Sequence, residues 1–137
     1  MNFVNKTSKK IKADFFEKIA KNTFSYLNEK SVYDFDLVLV DKNRIKFLNK
    51  KYRRIDKVTD VLSFGLKEEK FLGQIFICLE QVFKQAGIVK RNNNDELAEV
   101  FVHGILHLLN YNDETESGYK KMILLQKKIL KKINENY

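Results

Sequence analysis

Proline is absent from this chain, and glycine occurs only five times in 137 residues. Turns and helix ends must therefore be marked by those few glycines and by Asn, Asp and Ser, and a proline-rich linker or low-complexity tract is excluded. There is one cysteine, Cys78, so no disulfide can form within the chain. With no secretory signal pattern at the N-terminus, this predicts a reducing, cytoplasmic setting. Cys78 lies in the apolar run IFICL and reads as a small buried hydrophobe. No stretch is long and apolar enough to span a bilayer, and no internal repeat is visible. This length, with 44% apolar and 32% charged residues, predicts a single globular domain over residues 1–137 with one core.

Acidic residues are in deficit. Against 18 Asp and Glu stand 26 Lys and Arg, a net charge of +8. The excess points to a polyanionic partner, with nucleic acid the leading candidate, or else to a merely solvated surface. Most of the cations are Lys, which suits loose attraction to phosphates better than reading of bases.

Periodicity predicts an edge strand at 2–5 and a helix at 9–28 with Ile11, Phe15, Ile19 and Leu27 on its apolar face. FDLVLV at 35–40 predicts a buried strand, and Asp41 an N-cap for a second helix. Strands are expected at 58–64 and 71–79, paired as a hairpin around a turn at Gly65 and KEEK. Gly73 marks a bulge or a close backbone approach. A short helix at 80–86 should stop at Gly87. Asn93 and Glu96 make a capping box for a helix at about 94–109 that is apolar nearly all round and belongs in the core. The last helix, at about 114–135, carries the stripe Tyr119, Met122, Ile123, Gln126, Ile129, Leu130 and Ile133, with paired lysines facing water. Strands and helices do not alternate regularly. The expected fold is α+β, a small mixed sheet packed against helices.

Histidine is the other scarce residue, and both copies, His103 and His107, fall in VHGILHLLNYND, Val102 to Asp113. Four residues apart on a helix, they stack on one face and can grip one metal ion from the same side. Asn110 tolerates the left-handed conformation that ends helices, so the chain can turn there and bring Asp113 back as a third ligand. Three protein ligands leave a fourth position open, as in catalytic zinc sites. The site would thus sit on a buried central helix and the loop after it. Two alternatives stand beside this: a hydrogen-bonded core pair of histidines, and Asp113 with Glu116 as N-cap and N3 of the last helix. The spacing resembles the zinc-peptidase pattern H-E-x-x-H-x-x-G-x-x-H, but Gly104 replaces the Glu that serves a peptidase as general base.

The second informative stretch is NKKYRRIDKVTDVLSFG, Asn49 to Gly65. Tyr52, Arg53 and Arg54 close a helix, and Asp56, Thr59, Asp60 and Ser63 follow at a strand entry. Arginine suits two-pronged phosphate binding, although ordinary ion pairs with Asp56 and Asp60 would account for the same residues. Together the two stretches resemble the YbeY family, the bacterial metal-dependent endoribonucleases of ribosomal RNA maturation. That family shows Y-R, then T-D-V-L-S-F, then L-G-[DQ]-I, then H-G-x-L-H-L-x-G-Y-D-H. These motifs stand here as Tyr52–Arg53, Thr59–Phe64, Leu72–Ile75 and His103–Asp113. Departures are Asn110 for the Gly, Asn112 for the Asp, Asp113 for the third His, and Val58 and Gly65 where family members often carry Pro.

The resemblance implies one zinc ion on His103, His107 and Asp113, with Arg53 as the catalytic or RNA-binding arginine. It implies single-strand-specific cleavage in 16S rRNA 3′-end maturation and ribosome quality control, with precursor rRNA and the small ribosomal subunit as partners. Two other function classes remain: a ribosome-assembly RNA-binding factor with little catalysis, and a zinc metallopeptidase.

Overall fold

Alternation of apolar side chains along two central strands fixes the architecture. In the computed structural model, which describes residues 1–29 and 34–135, four strands form one mixed sheet in the order β1-β2-β4-β3. They are β1 (Asn2–Asn5), β2 (Asp34–Val40), β3 (Val61–Glu68) and β4 (Phe71–Cys78). β1 and β4 run parallel to β2, and β3 runs antiparallel to β4. Side chains two apart share a face. Phe35, Leu37 and Leu39 of β2 and Ile75 and Ile77 of β4 therefore point one way, while Val38, Val40 and Cys78 point the other.

The first face is covered by α1 (Ala13–Tyr26) and α4 (Asn93–Leu108), with α5 (Glu116–Glu135) packed against both helices and α3 (Leu79–Ile88) beside α4. Phe16, Ile19, Ala20 and Phe24 of α1 follow helical spacing, and the Phe16 ring meets Phe101 of α4 edge-on at 5.1 Å. Among the described residues, the helix that covers the second face is α2 (Lys42–Arg53), through Ile45 and Leu48. The expected single core is thus two apolar layers divided by the sheet. The sheet and its flanking helices make the α+β fold that the patterning predicts.

Several element ends differ from expectation. Gly65 lies inside β3, and the hairpin turns at Glu69–Lys70, where Lys70 takes a positive φ of 67°. Gly87 lies inside α3; the left-handed residue that ends it is Lys90, with the Arg91 N–H donating to the Ala86 carbonyl at 2.8 Å. The α4 cap is Asn92 rather than Asn93, its side chain accepting from the N–H groups of Asn94 and Asp95. Tyr119, placed by periodicity on the inner stripe of α5, is 51% exposed. Asp41 caps α2 as expected, accepting from the Arg44 N–H at 2.8 Å.

Gly73 makes its close approach to the neighbouring strand. It pairs with Gly65 at a φ of 138°, and a Cβ there would lie 2.1 Å from the Phe64 carbonyl oxygen. Gly73→Ala should therefore destabilise the fold by about 2–3 kcal/mol. The check is a urea unfolding midpoint; an unchanged midpoint would mean that β3 moves aside at no cost.

Candidate metal centre

Helix α4 crosses the first face of the sheet and is buried along most of its surface. Gly104 makes the approach close. A Cβ there would lie 3.1 Å from Ile75 Cγ2 and 3.3 Å from Ser63 Oγ, and the Ser63 hydroxyl donates to the Gly104 carbonyl at 3.2 Å. A side chain at position 104 would require Ile75 and Ser63 to give way slightly, so the close approach of α4 to the sheet favours glycine there.

His103 and His107 look out from the same helix, half-buried, with their Nε2 atoms 3.0 Å apart. Beyond His107 the helix stops as its sequence predicts. Asn110 has φ 70°, and the Tyr111 N–H donates back to the Leu106 carbonyl at 3.0 Å. That reversal returns Asp113, whose Oδ2 lies 3.3 Å from His107 Nε2 and 3.7 Å from His103 Nε2. Two donors bound tetrahedrally to one zinc at ordinary bond lengths stand about 3.3 Å apart. The three separations bracket that value, so the residues fit an ion of this kind.

Asp113 is not a helix cap. The cap of α5 is Thr115, whose hydroxyl oxygen accepts from the Gly118 N–H at 3.0 Å. The carboxylate of Asp113 is left facing the imidazoles.

Protonation suits metal binding. Burial pushes the His107 imidazole below its usual range and the neighbouring His103 adds to this; Asp113 pulls the other way, and Arg53 adds a smaller lowering. His107 is thus held neutral, as a ligand must be. His103 is oriented by Gln126 of α5, a residue only 2% exposed whose side-chain oxygen meets His103 Nδ1. An amide oxygen only accepts, so the ring proton sits on Nδ1 and the Nε2 lone pair faces the cluster. Sequence reading placed Gln126 on the inner stripe of α5 without giving it a role. The available signal was a lone amide among apolar residues at helical spacing.

Gln126→Leu keeps the volume and removes that acceptor. It should weaken metal binding by roughly 10–100-fold, measured by competition with a chromophoric chelator. Unchanged affinity would mean that His103 needs no orienting partner.

The three side chains line a cleft of about 730 Å³. Arg53, the last residue of α2, forms another part of the wall, with Thr59, Asp60 and Ser63 beside it. Among the described residues Arg53 is exposed and has no ion-pair partner. Asp56 is outside the cleft wall, 3.9 Å from Lys50. Asp60 accepts from the Gln85 amide at 3.1 Å. Sequence reading also missed Glu96 and Glu99 as cleft residues. They lie two turns and one turn before His103, respectively, and Arg91 pairs with both.

Residues 2–134 match the family model described as endoribonuclease YbeY. The chain is 42% identical to the endoribonuclease YbeY of Phytoplasma australiense, over 95% of this chain and 92% of that protein. It is 40% identical to that of Acholeplasma laidlawii, over 87% of each. Its fold is similar to the solution structure of TM1509 from Thermotoga maritima, with a TM-score of 0.68 and 29% identity over 96% of this chain and 87% of that one.

Proposed function

Because the chain belongs to the endoribonuclease YbeY family, we propose that it is a single-domain, metal-dependent hydrolase that cleaves single-stranded precursor rRNA. Its place would be 16S 3′-end maturation and ribosome quality control in the cytoplasm, with the small ribosomal subunit as partner. One zinc ion would be held by His103, His107 and Asp113. The observation that carries this reading is the convergence of those three donors, 3.0–3.7 Å apart, in the cleft that Arg53 also lines. No helix among the described residues is long and apolar enough to cross a membrane.

When bound, such an ion supplies Lewis acidity toward a phosphoryl oxygen and makes a water molecule more acidic. The remaining work falls to the chain. Gln126 accepts from His103 Nδ1 and so turns the Nε2 lone pair of that ring into the cleft, while burial lowers the proton affinity of His107. The Ser63 hydroxyl ties β3 to α4, both of which contribute side chains to the cleft. Arg53 can donate two parallel hydrogen bonds to a phosphodiester and offset charge that develops on it. Glu96 and Glu99 also line the cleft, and Arg91 pairs with both.

The test is cleavage by purified protein of one RNA sequence offered single-stranded and as a duplex, with denatured casein as a third substrate. Loss of the single strand alone, abolished by chelator and restored by zinc, is expected. Fully metallated protein that binds the RNA without cutting it would instead favour an assembly factor, and digestion of casein a peptidase.

A further inference from the structure

The outer face of α2 carries more charge than the cleft uses. Seven Lys and Arg fall within the thirteen residues from Lys42 to Arg54, with no acid among them. All seven are exposed, and among the described residues only Lys50 has an acidic partner, Asp56. On α5, by comparison, two of the six lysines have acidic partners among the described residues, Lys120 with Glu116 at 3.2 Å and Lys132 with Glu135 at 4.0 Å.

Two large rings sit among the α2 cations. Phe47 is 50% exposed and Tyr52 58%. The Arg44 guanidinium lies 5.3 Å and the Lys51 ammonium 5.8 Å from the Phe47 ring centre, and Lys51 is 5.2 Å from that of Tyr52. Phe47 lies outside the core cluster that Ile45 and Leu48 of the same helix join. Instead it stands among charges, where a flat base can stack on it while the cations meet the flanking phosphates. The surface joins the cleft. Arg53 belongs to both, and Tyr52 packs edge-on at 5.2 Å against Phe64, the neighbour of the cleft residue Ser63.

We infer that the outer face of α2 is a second, sequence-independent binding surface for single-stranded RNA, with Phe47 as a base-stacking platform for the strand where it leaves the cleft past Arg53. This rests on RNA being the substrate. It adds a site outside the cleft, and it makes affinity depend on strand length.

The chain has no tryptophan, so Phe47→Trp introduces a single fluorescent reporter. Metal-free protein is titrated with a twelve-nucleotide oligouridylate, and binding is followed in parallel by anisotropy of the labelled RNA. Quenching of Phe47→Trp that saturates with the anisotropy is expected, with none for Tyr26→Trp on α1, across the sheet. Phe47→Ala should bind the oligonucleotide about tenfold more weakly, and Phe47→Leu should not restore it. Lys51→Ala should instead lower the salt dependence of binding by close to one phosphate contact.

Equal affinity for wild type and Phe47→Ala, both folded by circular dichroism, overturns the platform while leaving cleavage in the cleft intact. Quenching by anionic phospholipid vesicles but not by RNA overturns it in favour of a membrane surface. A wild-type protein that neither binds nor cuts RNA removes both this surface and the proposed function.

Discussion

Asp113→Asn should lose most of its bound metal and keep its fold. The substitution preserves size and hydrogen-bonding capacity but removes the negative charge that lies 3.3 Å from His107 Nε2 and 3.7 Å from His103 Nε2. Losing one of three donors should lower metal affinity by more than the ~10–100-fold that an outer hydrogen-bond partner contributes. Melting of the metal-free protein should hardly change, because Thr115 and not Asp113 caps α5. Thr115→Ala supplies the converse: about 1 kcal/mol of stability lost and metal content retained. Asp113→His should retain metal. Two neutral imidazoles and a carboxylate leave a divalent centre one positive charge, and a third imidazole leaves it two, so the pH optimum of cleavage should move down. Metal content and melting temperature on the four proteins decide the matter. Full occupancy in Asp113→Asn would remove Asp113 from the site.

Arg53→Ala should cut RNA about ten to a thousand times more slowly with metal content and melting temperature unchanged. Arg53 is exposed at the end of α2, and among the described residues it makes no ion pair whose loss could weaken the fold. Its charge reaches the centre, since it contributes to lowering the His107 proton affinity. The loss should appear in kcat at saturating RNA if the guanidinium acts on charge formed during the reaction. It should appear in KM if it only helps to hold the strand. Arg53→Lys keeps the charge and loses the planar fork, so it should recover little of the rate. Full activity in Arg53→Lys would leave the two-pronged contact without support.

Most of the arrangement around the centre can be read from the chain because local rules govern it. Two histidines at helical spacing had to share a face, and an asparagine at 110 could adopt the positive φ that turns the chain back. The choice between ligand and cap for Asp113 was not local. It depended on whether Asp113 or Thr115 would meet the first N–H groups of α5, and both are good caps. Gly104 shows the same limit. Its absent side chain could be recognised as a missing base, but the contact with Ile75 and Ser63 depends on how α4 crosses the sheet. Glycines were misread where strand pairing overrode their usual role: Gly65 passes through β3 opposite Gly73, and Gly87 is carried along in α3. Gln126, Glu96 and Glu99 come to the cleft through tertiary packing, which no spacing along the chain specifies.

The measurement that bears most directly on the proposed chemistry is a titration of chelator-treated protein with zinc, recording the initial rate of single-stranded RNA cleavage at each addition. The rate should start near zero, rise in proportion to added zinc, and level off at one ion per chain. Cleavage at full rate by protein shown to be metal-free would contradict a centre built on His103, His107 and Asp113.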